Sequence, residues 1–364
     1  MKRKGSKKNR ILKWIVFSIL CMASLICFAF TALMTDKLVS QHEAMRWQGE
    51  SEQSFAQISC LIPERETVQL ESVWNYRTAI INRLKEAALD TEGNNQLYLD
   101  AWSASGQVSV NSALGSGKAD VLAVGGNFFD FHPIRLLSGS YISQSDLMKD
   151  RVLIDEELAW LLFGGIDLQG LSFKINGQNF VVAGVVDREA DYESSIAYNG
   201  SMGLFMSYDA YKSLNADAGI NCYEFVMAQP VENFAVNFAK EKIAKDSWAV
   251  IESSNRFSFE NLLELVPQFG KRSMQSSGIV YPYWENAARY TEDWCALLVL
   301  LGLVFAFWPV LYLIWRFIRL FIKGKDKLEY ELVPKFKENT QEAIRVRRRR
   351  HWEKKRGLHE KTTK

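Results

Sequence analysis

Two long apolar runs near opposite ends of the chain dominate its hydropathy pattern. The first, residues 11–34, has 24 residues and one charged side chain, Lys13 near its start; the second, residues 294–315, has 22 residues and no charge. At a rise of about 1.5 Å per helical residue, each run is long enough to cross a hydrocarbon core of about 30 Å. The pattern therefore predicts a membrane-spanning helix at each run.

The segment between these runs, residues 35–293, has the mixed periodicities of an α+β fold. Val73, Ile80 and Leu84, for example, recur at helical spacing. Predicted strand, helix and strand follow one another at residues 55–62, 70–89 and 96–104, and again at residues 222–228, 231–244 and 247–251. We expect the two β-α-β units to meet in a split sandwich subdomain formed by about residues 35–125 and 220–293.

The stretch between the two units, about residues 126–219, is strand-rich and punctuated by glycines at predicted turns. It predicts an inserted, mostly β subdomain. After the second unit, residues 256–270 have the apolar spacing of one more amphipathic helix. We expect this helix to pack within the same central segment.

Charge orients the predicted membrane helices. Residues 1–10 contain six basic and no acidic side chains, and residues 316–364 contain 17 basic against seven acidic. The middle segment reverses this balance, with 20 basic and 35 acidic residues. Because cytoplasmic flanks carry an excess of Lys and Arg, both termini are expected in the cytoplasm and residues 35–293 outside it.

The first apolar run is a better uncleaved anchor than a leader peptide, because it exceeds the usual ~7–15 apolar residues and no small-x-small cleavage site follows it. Cys21, Cys27 and Cys295 fall within the predicted spans, where packing is their expected role. Cys60 and Cys222 lie outside the spans. Two cysteines so far apart in sequence leave both a disulfide and two free thiols open.

A series of short motifs makes the insert more specific. In chain order they are Asn127-Phe128-Phe129-Asp130, Leu136-Leu137-Ser138-Gly139-Ser140, Arg151-Val152-Leu153-Ile154, Trp160-Leu161-Leu162-Phe163-Gly164, Asp167-Leu168-Gln169-Gly170, Phe173-Lys174-Ile175-Asn176-Gly177 and Phe180-Val181-Val182-Ala183-Gly184-Val185-Val186. Singly, each predicts only local structure, such as a glycine-capped helix end at Gly164 or a hairpin turn at Asn176-Gly177. Their order between two spans resembles the periplasmic core domain of MacB-like, FtsX-type ABC transporter permeases.

The resemblance implies a non-catalytic permease-like subunit of a bacterial plasma membrane. In that family a separate or fused ATPase drives the membrane helices, which relay its motion to the exported domain. An ABC ATPase and a further permease chain are therefore the implied partners, together with the bilayer. The family pattern has three membrane helices after the exported domain, whereas this sequence predicts one. The alternative is a membrane-anchored extracytoplasmic binding, sensing or scaffold protein without ATPase coupling.

Candidate catalytic and metal motifs are weak, and we expect no catalytic, cofactor-binding or metal-binding residues and no cofactor. Residues 115–119, Gly-Ser-Gly-Lys-Ala, imitate a phosphate-binding loop but lack its first glycine and its Ser/Thr, so they predict a flexible turn. His42 and His132 have no zinc-ligand spacing. The alternating acids of residues 187–193 predict a solvated loop.

The C-terminal segment carries a dense basic patch around Trp352. Its members are Arg345, Arg347, Arg348, Arg349, Arg350, Lys354, Lys355 and Arg356. Such a run can contact nucleic acid, a partner protein or anionic lipid. Its position after a predicted membrane exit favours anionic lipid, at about 1 kcal/mol per basic residue near the surface. Nucleic acid is not an expected partner.

Overall fold

The computed structural model describes residues 2–89, 97–188, 192–198, 200–275, 278–327, 339–350 and 352. The chain forms two compact units, one made of Met1–Ile26 with Leu301–Lys364 and the other of Cys27–Leu300. We call the sheet of the second unit, with the helices that cover it, the central domain. Among these described residues, two helices are long and apolar enough to cross a membrane, at Ile11–Asp36 and Tyr283–Lys323.

The helices and strands alternate along the central domain. The α-helices are α1 (Lys2–Asp36), α2 (Glu43–Gln48), α3 (Leu70–Glu86), α4 (Phe128–Phe131), α5 (Glu156–Phe163), α6 (Tyr192–Tyr198), α7 (Tyr208–Leu214), α8 (Phe234–Phe238), α9 (Phe259–Leu265) and α10 (Tyr283–Lys327). The strands are β1 (Phe55–Leu61), β2 (Tyr98–Asn111), β3 (Ser116–Gly126), β4 (Arg135–Gly139), β5 (Arg151–Asp155), β6 (Ser172–Ile175), β7 (Gln178–Asp187), β8 (Gly203–Ser207), β9 (Cys222–Ala228) and β10 (Ala249–Glu252). Residues 339–350 are also helical.

The ten described strands form one mixed sheet in the order β10-β1-β9-β2-β3-β8-β5-β7-β4, with β6 pairing both β2 and β7. The two predicted β-α-β units do meet, because β9 inserts between β1 and β2. The β3–β8 and β5–β7 pairs are parallel, and the other pairs are antiparallel. The strands of the predicted sandwich subdomain and those of the predicted insert are hydrogen-bonded to one another in this one sheet. The boundaries between the two subdomains stay predictions.

The sheet buries a separate apolar cluster on each face, as alternation along the strands requires. In β1, Ile58 and Cys60 face a cluster that includes Val73, Ile80 and Leu84 of α3. Leu61 faces the opposite cluster, which includes Phe128 and Phe131 of α4 and Trp284 of α10. The first turn of α10 is therefore part of the core of the central domain.

Most of the predicted elements are confirmed. The strand at 222–228 has the predicted bounds, the helix predicted at 70–89 ends at Glu86, and the strand predicted at 96–104 extends to Asn111. The helix predicted at 231–244 is a short α-helix followed by a π-turn at Ala239–Ile243. The Asn176-Gly177 hairpin is confirmed by the Ile175–Gln178 pair, and both turn residues have positive φ.

Two predictions need correction. Only Gly115 of residues 115–119 lies in a turn, because β3 begins at Ser116 and pairs with Asn111 of β2. The helix predicted at 256–270, which was expected to pack within residues 35–293, spans Phe259–Leu265, and Leu262 packs against Cys295, Ala296 and Val299 of α10. In both cases a partner distant in sequence decides the local structure.

Cys60 and Cys222 are free thiols on opposite faces of the sheet. They lie on adjacent strands, but Cys60 pairs with Tyr223 and Cys222 with Leu61, so their side chains point into different clusters. Burial, reinforced by Glu224, raises the pKa of Cys60 to about 12 and also raises that of Cys222. With the two side chains on opposite faces of the sheet, the geometry excludes a disulfide between them.

We expect both thiols to be inert in the folded protein, because the thiolate is the reactive form and neither side chain reaches solvent. Intact mass should be the same with and without reductant, and Ellman's reagent should modify Cys60 and Cys222 only after unfolding. A Ser116→Cys variant, whose new thiol lies on an exposed position, is the reactive control. A mass increase on reduction would contradict the assignment.

The other unit contains the N-terminal part of the first apolar helix and the C-terminal part of the second. Trp14 of α1 contacts Tyr312 of α10, with ring centroids 6.0 Å apart, and Ser24 Oγ donates to the Gly302 carbonyl over 2.9 Å. The contact order, 14 with 312 and 24 with 302, shows that these segments pack antiparallel. Pro309 lies inside α10 without ending it. Membrane helices tolerate such a proline when neighbouring groups satisfy the freed carbonyl.

Candidate functional site

A cluster of buried charges ties the start of α10 to the rest of the central domain. We call it the ionic joint; its members are Arg256, Arg272, Glu285, Arg289, Glu292 and Asp293. Four of them, Arg256, Glu285, Glu292 and Asp293, have side chains no more than 4% exposed. Three positive and three negative side chains balance within the joint. Neutralisation of this kind is what makes burial of so many charges tolerable.

Arg256 is the centre of the joint. It follows β10 after one 3₁₀ turn, Ser253–Asn255, which aims it at α10. Its Nε donates to Glu292 Oε1 over 2.7 Å, and Nη1 and Nη2 donate to the two carboxylate oxygens of Glu285 over 2.8 and 3.2 Å. Nη1 also donates to Gln41 Oε1 over 2.7 Å, just after α1. One guanidinium thus links the chain after α1, the chain after β10, and α10.

The Arg256 environment is strongly anionic. Burial alone lowers the pKa of a guanidinium, but the two carboxylates of Glu285 and Glu292 outweigh it and hold the pKa of Arg256 above its ordinary value. The group is therefore charged at every physiological pH. Its removal would leave two carboxylates without their main partner.

The remaining members surround this centre. Arg289 Nε donates to Glu285 Oε1 over 2.6 Å, one helical turn along α10. Arg272 Nη1 lies 2.8 Å from Glu292 Oε2, an ion-pair contact without hydrogen-bond alignment. Asp293 Oδ2 accepts the Gly270 amide over 2.8 Å. The loop before α10 is thereby held against the helix.

A second set of contacts holds the start of α10 against the sheet. The fully buried imidazole of His132 stacks on Trp284, with ring centroids 4.1 Å apart. His132 Nε2 and Glu224 Oε2 are 2.6 Å apart, and Ser59 Oγ donates to Glu224 Oε1 over 2.7 Å. Glu224 lies between Ser59 and His132, so the hydroxyl lacks the imidazole contact that a catalytic serine needs.

The fold does not bring together the residues that the sequence offered as weak catalytic or metal-binding candidates. Lys118 is in β3, and the His42 imidazole contacts the Thr35 carbonyl at 3.0 Å. The described residues hold no group of three or more His, Cys, Asp or Glu placed to bind a metal. Of the acidic run, Asp187 ends β7 and Glu193 lies in α6, while residues 189–191 lie outside the described part.

The insert motifs prove to be sheet and turn elements. Asn127 is the N-cap of α4, and the rest of its motif lies in that helix. Residues 136–139 belong to β4, Ser140 follows the strand, and Gly164 caps α5 with a φ of 74°. The Asp155 carboxylate after the Arg151 motif caps α5 through the Leu158 amide over 2.8 Å and also accepts the Gly203 amide over 2.6 Å. These motifs define a fold rather than a reactive centre.

Sequence reasoning missed the ionic joint, although a signal was present. Glu285, Arg289, Glu292 and Asp293 recur at helical spacing immediately before the second apolar run. That spacing indicates a charged helix face, but a charged face is normally solvated. Only the approach of Arg256 and Arg272 shows that this face is buried.

The fold defines a class: an α/β domain between two helices that are long and apolar enough to cross a membrane. Residues 34–245 match the protein-family model of the MacB-like periplasmic core domain. Because the match covers more than half of the sequence, the chain belongs to this family of ABC-type transporter permeases.

Two solved structures are similar to part of the chain. The extracellular domain of the noncanonic ABC-type transporter YknZ from Gram-positive bacteria is 14% identical, with a TM-score of 0.37; the match covers 54% of this chain and 99% of that one. The periplasmic region of MacB from Actinobacillus actinomycetemcomitans is also 14% identical, with a TM-score of 0.36, and the match covers 56% and 92%. A search of curated proteins found no match.

Proposed function

We propose that the chain is the membrane subunit of a MacB/FtsX-type ABC transporter or mechanotransmission complex, which relays the motion of a cytoplasmic ATPase to its extracytoplasmic domain. The ATPase is a separate chain, and this subunit performs no catalysis of its own. A further permease chain completes the membrane part. Both termini are cytoplasmic, as the basic flanks of the two spans require.

The observation that carries the proposal is the combination of α10 and the ionic joint. α10 runs as one helix from Tyr283, in the core of the central domain, to Lys327, beyond the second apolar run. Its first turns are anchored by Arg256, by the Arg272 loop and by the His132–Trp284 stack. A helix anchored in this way transfers displacement of its membrane part to the sheet, because buried contacts resist being separated.

The cytoplasmic end offers the surfaces for partners. Residues 316–323 continue α10 with exposed side chains, and residues 339–350 form a helix whose described side chains are exposed. Arg345 and Arg347–Arg350 in this helix suit anionic headgroups. Lys354, Lys355 and Arg356 lie outside the described residues. We propose that lipid contact fixes this segment at the membrane while residues 316–327 contact the ATPase.

Site-specific photocrosslinking tests the proposal in the cell. A photoreactive amino acid at Lys323 should form a crosslink to a nucleotide-binding chain, and ATP should change its yield. The matched control is the same group at Lys118, an exposed position of the central domain, which should give no such product. Purification in mild detergent should recover the same ATPase together with this chain.

Two results would contradict the proposal. One is recovery of a lone monomer or homodimer, without nucleotide-dependent crosslinks, which supports a binding or sensing module instead. The other is topological: cysteines introduced at Lys118 and Lys354 should be labelled from opposite sides of the membrane. Labelling from the same side would remove the exported location on which the relay depends.

A further inference from the structure

A small aromatic groove opens on the central domain between α3, the paired ends of β2 and β3, and α7. It has a volume of about 220 Å³, and we call it the Trp74 groove. Trp74 and Trp102 supply its aromatic surface, Gly125 and Gly126 its backbone floor, and Lys149 and Asp209 its charged rim. Pockets for drug-sized ligands span about 300–1,000 Å³, so this groove suits a single ring.

The aromatic surface is built rigidly before any ligand arrives. The Arg77 guanidinium lies 4.9 Å from the ring centroid of Trp74 and 5.1 Å from that of Trp102. Asp100 fixes Arg77 through two hydrogen bonds of 2.8 and 2.9 Å. Arg77 therefore orients both indoles through cation–π contacts.

Glycine at position 125 is needed for this arrangement. A Cβ at Gly125 would lie 2.3 Å from Cε2 of Trp102, so only glycine lets the indole lie across the strand. Trp102 itself is 4% exposed. Trp74, by contrast, is 57% exposed and presents its ring to an incoming molecule.

We propose that the Trp74 groove binds one ring of a neutral saccharide. The apolar face of a sugar ring stacks on an exposed indole, and its hydroxyls both donate and accept. The rim carries one basic and one acidic side chain, Lys149 and Asp209, which selects neither an anion nor a cation. Access to envelope glycans rests on the extracytoplasmic location proposed above, but binding does not require the ATPase.

Titration calorimetry of the full chain in lipid nanodiscs tests the groove. The probes are β-1,4-linked oligomers of N-acetylglucosamine and of glucose, with N-acetyltryptophanamide as the aromatic competitor. We expect saturable binding of at least one oligosaccharide, weakened about tenfold by Trp74→Ala, because one stacked ring contributes on the order of 1 kcal/mol. Trp74→Phe should retain most of the affinity.

The control is Trp160→Ala, which removes another exposed tryptophan, 55% exposed, outside the groove. Equal effects of the two alanine variants, no saccharide binding, or binding of the indole compound alone would each overturn the proposal. If Trp74→Ala fails to fold, Lys149→Gln and ¹⁹F NMR of fluorotryptophan at Trp102 replace it. An unchanged Trp102 resonance in saturating sugar would also overturn it. None of these readouts depends on ATPase capture.

Discussion

Replacing Arg256 with methionine should lower the free energy of unfolding of the central domain by about 3–5 kcal/mol, the cost of breaking a buried ion pair. The methionine fills much of the space but leaves Glu285 and Glu292 without their central partner. For a domain of this size, the loss corresponds to a fall in Tm of roughly 6–15 °C. Thermal unfolding of the full chain in detergent, followed by near-UV circular dichroism, measures it.

An exposed pair provides the matched control. Arg135, whose side chain is 73% exposed, contacts Asp187 across the β4–β7 pair. Arg135→Met should cost no more than about 1 kcal/mol, because solvent screens this pair. The double variant Arg256→Met, Glu285→Gln should regain part of the stability, since the joint then holds two positive and two negative side chains. Equal losses of unfolding free energy for Arg256→Met and Arg135→Met would show that the ionic joint stabilises the domain no more than an exposed ion pair does.

Substituting Gly139 with alanine should be nearly as damaging, at about 3 kcal/mol or more. Gly139 ends β4 with a φ of 79°, and a Cβ there would lie 2.2 Å from the Ala183 carbonyl oxygen and 2.6 Å from the Gly184 Cα. Backbone atoms cannot move aside as a flexible side chain can, so β4 must separate from β7. Urea unfolding, with amide exchange of the β4 residues, reports both the loss and its location.

Gly170 isolates the contribution of backbone conformation. It has a similar φ of 86°, but nothing lies within 4 Å of its added Cβ. Gly170→Ala should therefore cost only the left-handed conformation, about 1–2 kcal/mol. The difference between the two variants measures the close approach of β4 to β7. Identical midpoints in urea would refute the steric argument.

The local elements were readable from the sequence where their signals are short-range. The Asn176-Gly177 turn is confirmed because two residues with positive φ are enough to specify it. The β9 strand is confirmed at its predicted bounds because its seven residues, all buried, match the apolar run at 222–228. Such signals are carried by neighbours along the chain, so no tertiary information is needed.

Predictions failed where a distant partner overrides local composition. Residues 115–119 have the glycine content of a flexible turn, yet pairing of Ser116 with Asn111 draws them into β3. Similarly, the helix at Phe259–Leu265 packs on Cys295 and Val299 of α10, in the second apolar run, rather than within residues 35–293. Neither partner is visible in the local pattern.

The sequence by itself determined the two apolar helices, the reversal of charge between them and the order of strands and helices, since hydropathy and charge are properties of the chain read in order. The tertiary structure alone decided which charged side chains contact one another and on which faces of the sheet the two thiols lie. Arg256 reaches Gln41 across 215 positions, and Cys60 and Cys222 lie on neighbouring strands yet face opposite clusters. The physical reason is that sheet register and helix docking are set by burial summed over the whole domain, which no local pattern specifies.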